Sequence, residues 1–180
     1  MNIESVAVFC GSQAGNNPVY LQHAIQLGEI IANQNMTLVY GGGNGGLMGT
    51  VANTVMGKGG NVIGVITELL SDREHHHKGI TKLHIVSDMH VRKKMMYELC
   101  DMAIILPGGF GTLDELFEMI TWNALKIHEK KIVILNSGNY YHKMMEFMDH
   151  IQQETFLYED WRERIQVVNS PEEIFQGNQY

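Results

Sequence analysis

The sequence has little basic charge, little proline and almost no cysteine. Thirteen Lys and Arg stand against twenty Asp and Glu, a net charge of −7, so a broad surface for a nucleic acid polymer, which needs clustered cations, is not expected. A local anion site remains open. Three prolines beside 19 glycines exclude both a collagen-like repeat and a Pro-rich linker. Two cysteines, Cys10 and Cys100, with no CxxC spacing exclude a disulfide framework and read as reduced, buried thiols. No window approaches the ~20 consecutive apolar residues of a membrane helix, and even the run from Met102 to Leu106 stops at Pro107. The segment Met1 to Cys10 lacks the basic start and long apolar run of a signal peptide. No membrane association and a cytoplasmic location are therefore expected. A Walker A loop is missing as well, because Gly57-Lys58 runs into Gly59 rather than Ser or Thr.

Hydrophobic residues at 44% and charged residues at 18% of 180 positions describe a globular chain of the size of one domain, spanning residues 1–180. Short β-rich runs alternate with longer segments of helical period. Strands are predicted at Ser5 to Cys10, Thr37 to Tyr40, Asn61 to Ile66, Leu83 to Val86, Met102 to Leu106 and Ile132 to Leu135. Helices are predicted at Pro18 to Gln34, Gly46 to Lys58, His90 to Cys100, Thr112 to Leu125 and Tyr140 to Glu154, with a short strand at Ile165 to Val168 and a terminal helix at Pro171 to Phe175. Strand-helix alternation implies parallel pairing through right-handed crossovers. The expected fold is α/β: a three-layer, doubly wound (Rossmann-like) parallel sheet with helices on both faces.

The glycines cluster after predicted strands: Gly11, the run Gly41-Gly42-Gly43-Asn44-Gly45-Gly46, and Gly108-Gly109-Phe110-Gly111. Those turns share the carboxyl edge of such a sheet, where ligands bind. Backbone N–H groups there, with the positive end of the following helix, suit an anion such as phosphate. Gly41, Gly43 and Gly46 satisfy GxGxxG, but after the second strand and without a well-placed acidic partner, so the dinucleotide reading is weak. Ser12 and Asn44 are candidate lining residues beside their turn-forming roles. Pro107-Gly-Gly-Phe-Gly-Thr112-Leu-Asp-Glu115 is more specific. Its bland reading is a capping box, with Thr112 capping a helix and Glu115 folding back. A second cluster, Met89-His90-Val91-Arg92-Lys93-Lys94, opens a helix at the same edge and brings cations to the carboxylate.

Together the Met-His-x-Arg-Lys and Pro-Gly-Gly-Phe-Gly-Thr-Leu-Asp-Glu motifs resemble the LONELY GUY family of cytokinin-activating phosphoribohydrolases, whose members have often been labelled possible lysine decarboxylases. The likeness runs from Val8-Phe9-Cys10-Gly11-Ser12 through Tyr40-Gly41-Gly42-Gly43 and Gly45-Gly46-Leu47-Met48-Gly49 to Ile120-Thr121-Trp122. It implies hydrolysis of the N-glycosidic bond of a cytokinin riboside 5′-monophosphate or AMP, giving free base and ribose 5-phosphate, with no cofactor or metal. It also implies a homodimer, or a higher assembly, with active sites near the subunit interface. By the same likeness Arg92 and Glu115 form the catalytic pair. The likeness implies substrate contacts at Glu74, Arg92, Lys93, Gly109, Phe110, Gly111, Thr112, Leu113, Asp114, Glu115 and Thr121, and the glycine turns add Ser12, Gly42, Gly43, Asn44 and Gly108 as candidate binding residues.

Two other functions compete: a general AMP or pyrimidine nucleotide nucleosidase, and a non-catalytic nucleotide or cofactor carrier on the same fold. A PLP decarboxylase fares worse, since no lysine lies in the glycine turns. His75-His76-His77 resembles a metal site only superficially, because neighbouring residues diverge, and reads as a solvated loop. His90 is balanced between substrate contact and capping or packing. The helical spacing of Met95-Met96 with Leu99, and of Met144-Met145 with Met148, predicts core packing.

Overall fold

Val6 and Val8 face one side of the first strand, β1 (Ser5–Phe9), and Ala7 and Phe9 face the other, yet all four are buried. A strand apolar on both sides belongs in the middle of a parallel sheet covered twice. The computed structural model, which describes residues 3–73 and 76–176, places it there. The other strands are β2 (Thr37–Tyr40), β3 (Asn61–Thr67), β4 (Lys82–Val86), β5 (Met102–Ile105), β6 (Lys131–Leu135) and β7 (Ile165–Val168). They form one seven-stranded sheet in the order β4-β3-β2-β1-β5-β6-β7, and every pairing is parallel. This is the doubly wound sheet expected from the alternation.

Each face has its own core, because successive residues of a strand point to opposite sides. Val6, Val8, Leu38, Tyr40, Met102 and Ile104 pack under α1 (Pro18–Asn33) and α2 (Gly46–Gly57). Ala7, Phe9, Val39, Ala103 and Ile105 pack under α4 (Met89–Glu98), α5 (Phe110–Ala124) and α6 (His142–Gln153). Fully burying each such Val, Leu, Ile or Phe side chain contributes about 1.5–3 kcal/mol. The methionine stripes behave as predicted. Met96 and Met148 are buried, and Met95, Met144 and Met145 pack against the same core. Cys10 and Cys100 are buried free thiols.

Most element boundaries shift by one or two residues from the sequence reading, and three differences matter more. A six-residue helix, α3 (Glu68–Arg73), follows β3 where none is predicted; it is too short for a periodic signal. The terminal helix is a 3-10 segment, Pro171–Phe175. The third difference, the start of α5, bears on the site. Strands β2 to β4 are added outward on one side of β1 and β5 to β7 on the other, so the winding order reverses between β1 and β5, and the carboxyl ends of these two parallel strands open the crevice in which α/β sheets bind ligands.

Candidate active site

Two glycine turns meet at that crevice. The Gly11 N–H donates to the Pro107 carbonyl at 3.0 Å, and the Leu106 N–H to the Phe9 carbonyl at 3.0 Å. A Cβ on Gly108 would lie 2.1 Å from Thr112 Oγ1 and 2.9 Å from the Gly11 nitrogen, so no side chain fits where the turns cross. Tyr140 Oη donates to the Gly108 carbonyl at 2.6 Å and fixes the turn from outside. Gly109 is the N-cap of α5, and no side chain caps it. Thr112 therefore sits inside the first turn, and Glu115 does not fold back to it. The capping-box reading is thus corrected: the helix starts at Phe110, two residues before the predicted Thr112, because the glycine turn itself delivers the chain into helical geometry. Phe110, Gly111 and Thr112, at a helix start that no side chain caps, line a cavity of about 360 Å³, within the usual size range of small-molecule sites.

The second turn behaves differently. The N–H groups of Leu47 and Met48, at the start of α2, donate to the Gly11 carbonyl at 3.1 and 3.3 Å. Gly42 and Gly43 are buried away from the cavity, and the Gly42 carbonyl accepts the His77 N–H. The GxGxxG run therefore packs the turn, and of these two helix starts it is that of α5 whose first N–H groups stay uncapped.

Arg92 and Glu115 form the floor of the cavity. Asp88 caps α4, its Oδ1 accepting the N–H groups of His90 at 2.9 Å and Val91 at 3.0 Å. That start turns Arg92 inward beneath the sheet edge, where it is buried. Its Nε donates to the Val65 carbonyl at 2.9 Å and its Nη2 to the Gly41 carbonyl at 3.2 Å, and Nη1 lies 3.5 Å from Glu115 Oε1. A Cβ on Gly41 would stand 2.3 Å from Arg92 Nη2, so the absence of a side chain at position 41 makes the guanidinium's seat. Burial pushes the Glu115 carboxyl up to about 7, against the opposing pull of Arg92 3.5 Å away. The Cys10 thiol beside it is held protonated by burial and by the Glu115 charge.

Of the other predicted site residues, Ser12, Gly109, Phe110, Gly111 and Thr112 line this cavity. Gly42, Gly43, Asn44, Lys93, Gly108, Leu113, Asp114 and Thr121 do not. Lys93 turns instead to Asp114 and Glu118, Leu113 packs against the core, and the Thr121 hydroxyl donates to the Phe117 carbonyl at 2.7 Å on an exposed part of α5. His90 is exposed and outside the cavity. Glu74 and His75 lie outside the described residues. His77 corrects the solvated-loop reading: it is buried, its Nδ1 accepts the Gly79 N–H at 3.0 Å, and its Nε2 faces Asn53 Oδ1 at 3.0 Å. The sequence reading missed the apolar wall of Met48, Leu70 and Met89. Met89 was findable, three residues before Arg92 on the same helix face; Leu70, on the unpredicted α3, carried no signal.

Residues 48–177 match the family model described as possible lysine decarboxylase. The chain is 45% identical over 163 residues to a cytokinin riboside 5′-monophosphate phosphoribohydrolase of Rhodococcoides fascians, covering 90% of this chain and 82% of that protein. It is 45% identical over 161 residues to one of Arabidopsis thaliana, covering 87% of this chain and 76% of that protein. Among solved structures, the molybdenum cofactor binding protein of Rippkaea orientalis superposes with a TM-score of 0.68 at 23% identity, covering 96% of this chain and 93% of that one. The Moco carrier protein of Chlamydomonas reinhardtii gives 0.68 at 18% identity, covering 95% and 92%. At those identities the likeness carries the fold alone.

Proposed function

Because the chain belongs to the LONELY GUY family, whose model is described as possible lysine decarboxylase, we propose that it is an N-glycosidase that hydrolyses nucleoside 5′-monophosphates of the cytokinin riboside or AMP type to free base and ribose 5-phosphate. The observation that carries this reading is the buried Arg92–Glu115 pair on the floor of a cavity walled by the uncapped start of α5. A phosphate binds the N–H groups of Phe110, Gly111 and Thr112 at the positive end of α5. Anchoring the remote phosphate orients the ribose toward Glu115. Breaking the C1′–N bond builds positive charge on the sugar ring, and the ionised Glu115 carboxylate stabilises it. Water adds to C1′ and gives its proton to the Glu115 carboxylate, while the purine, departing with the electron pair of the C1′–N bond, takes a proton from solvent and leaves as the neutral base; Glu115 then returns its proton to solvent. A carboxyl with a pKa of about 7 is matched to accept that proton near neutral pH. Arg92, a permanent cation, holds Glu115 in place and keeps part of its population ionised. The apolar wall of Met48, Leu70 and Met89 faces the base.

Among the described residues no lysine lines the cavity, and so none offers an amine there for the Schiff base of a PLP decarboxylase. No helix among the described residues is long and apolar enough to cross a membrane. A cytoplasmic enzyme, assembled at least as a homodimer, completes the proposal. The test is a substrate panel of AMP, N6-isopentenyladenosine monophosphate, CMP and adenosine, with free base and ribose 5-phosphate quantified. Equimolar base and sugar phosphate are expected from the purine monophosphates, and adenosine is expected to react at least ~100-fold more slowly for want of its anchor. Tight nucleotide binding without base release contradicts the proposal and identifies a carrier.

A further inference from the structure

Lys93 follows Arg92 in the chain, but the two point apart, since neighbours on a helix are separated by about 100°. Arg92 enters the cavity; Lys93 crosses to α5. Its Nζ lies 3.0 Å from Asp114 Oδ2 and 3.1 Å from Glu118 Oε2, with only 9% of the side chain exposed. Tyr97, one turn further along α4, donates its hydroxyl to Glu118 Oε2 at 2.8 Å, and that hydroxyl is 3.3 Å from the Glu115 carbonyl. Asp114 and Glu118 bracket Glu115 on α5 as Lys93 and Tyr97 follow Arg92 on α4. Two carboxylates already neutralise the ammonium, and burying it elsewhere without them is strongly unfavourable. We infer that Lys93 is a positioning residue that clamps α4 to α5 through Asp114, Glu118 and Tyr97, holding Glu115 against Arg92, rather than a ligand of the substrate. The inference rests on the catalytic reading of Glu115 proposed above.

The charged and titratable groups facing Glu115 are Arg92, Lys93 and Tyr97 from α4, Asp114 and Glu118 from α5, and Cys10 from the end of β1. Lys93 favours the ionised carboxylate, whereas Asp114 disfavours it. Removing each must therefore move the Glu115 titration in opposite directions. The experiment compares Lys93→Met, Lys93→Arg and Asp114→Asn for kcat, KM, binding of ribose 5-phosphate, and the Glu115 side-chain titration by carbon NMR. Lys93→Met is expected to lower kcat at least ~10-fold while KM and ribose 5-phosphate affinity change less than about threefold, with Lys93→Arg restoring most of kcat, since an arginine still pairs with both carboxylates. The Glu115 titration is expected to rise in Lys93→Met and to fall in Asp114→Asn. A tenfold loss of ribose 5-phosphate affinity with kcat preserved overturns the inference, as does a Glu115 titration unmoved in both variants. Asp114 is mostly exposed, so its variant reads the clamp even where Lys93→Met does not fold. A parent protein inactive on every nucleotide contradicts the proposed function alone; the titration and the sugar-phosphate binding still decide the role of Lys93.

Discussion

Glu115→Gln is expected to lower kcat on AMP by about 10³-fold while nucleotide binding stays within a few-fold of the parent. The amide matches the carboxylate in shape but carries no charge, so it loses the stabilisation of positive charge on the ribose and cannot take a proton from water. The same substitution is expected to raise stability at alkaline pH. A carboxyl whose folded pKa is raised from its unfolded value of ~4.3 to about 7 adds its full stabilisation below the unfolded pKa and loses it as pH rises through 7. At pH 8 the parent thus carries a penalty on the order of 3–4 kcal/mol, in which the attraction of Arg92 is already counted, and glutamine carries none. The melting temperature of Glu115→Gln should exceed the parent's by several degrees at pH 8, with the difference closing toward pH 5. Near-parental turnover, or a lower melting temperature at every pH, contradicts the assignment. Stability given up at a working carboxylate is the usual trade at active sites.

The second large effect is expected at a residue with no functional group. Gly41→Ala places a methyl 2.3 Å from Arg92 Nη2 and 3.1 Å from Met48 Sδ. The backbone at position 41 is outside the left-handed region, so alanine is conformationally acceptable and the fold should survive. The guanidinium is what must move, and with it go the bond to the Gly41 carbonyl and the approach to Glu115. Loss of about 100-fold in kcat/KM with a circular dichroism spectrum and melting temperature close to the parent's is expected, a loss similar to that of Arg92→Ala. Activity within twofold of the parent shows instead that the seat of Arg92 does not matter.

Gly41 also shows where sequence reasoning stops. The GxGxxG spacing suggests a phosphate cradle, and the glycines do stand at the ligand edge of the sheet. The structure uses Gly41 to admit an arginine and spends the first N–H groups of α2 on the Gly11 carbonyl. That donor-acceptor match joins residues 36 positions apart and leaves no local trace. The strands were legible because a twice-covered parallel strand is a continuous apolar run, and their parallel pairing followed from alternation with helices; the order of the strands in the sheet came only with the structure. The start of α5 was misplaced because Thr-x-x-Glu imitates a capping box that a glycine turn makes unnecessary. Arg92 and Glu115 were legible as motif residues, and the structure brings them together from different helices. The roles of Lys93 and Leu70 were not, since each depends on which neighbour a helix face meets.

An ionised Glu115, buried beside Arg92, is what drives glycosidic cleavage in the proposed reaction. The measurement that tests it most directly is the pH dependence of kcat between pH 5 and 9 at saturating nucleotide. A limb rising about tenfold per pH unit to a plateau, with its midpoint at about pH 7 or somewhat higher once a phosphate anion is bound, is the result expected from a carboxyl pushed up to about 7. A kcat constant from pH 5 to 8 in the parent, while Glu115→Gln remains inactive, would contradict it.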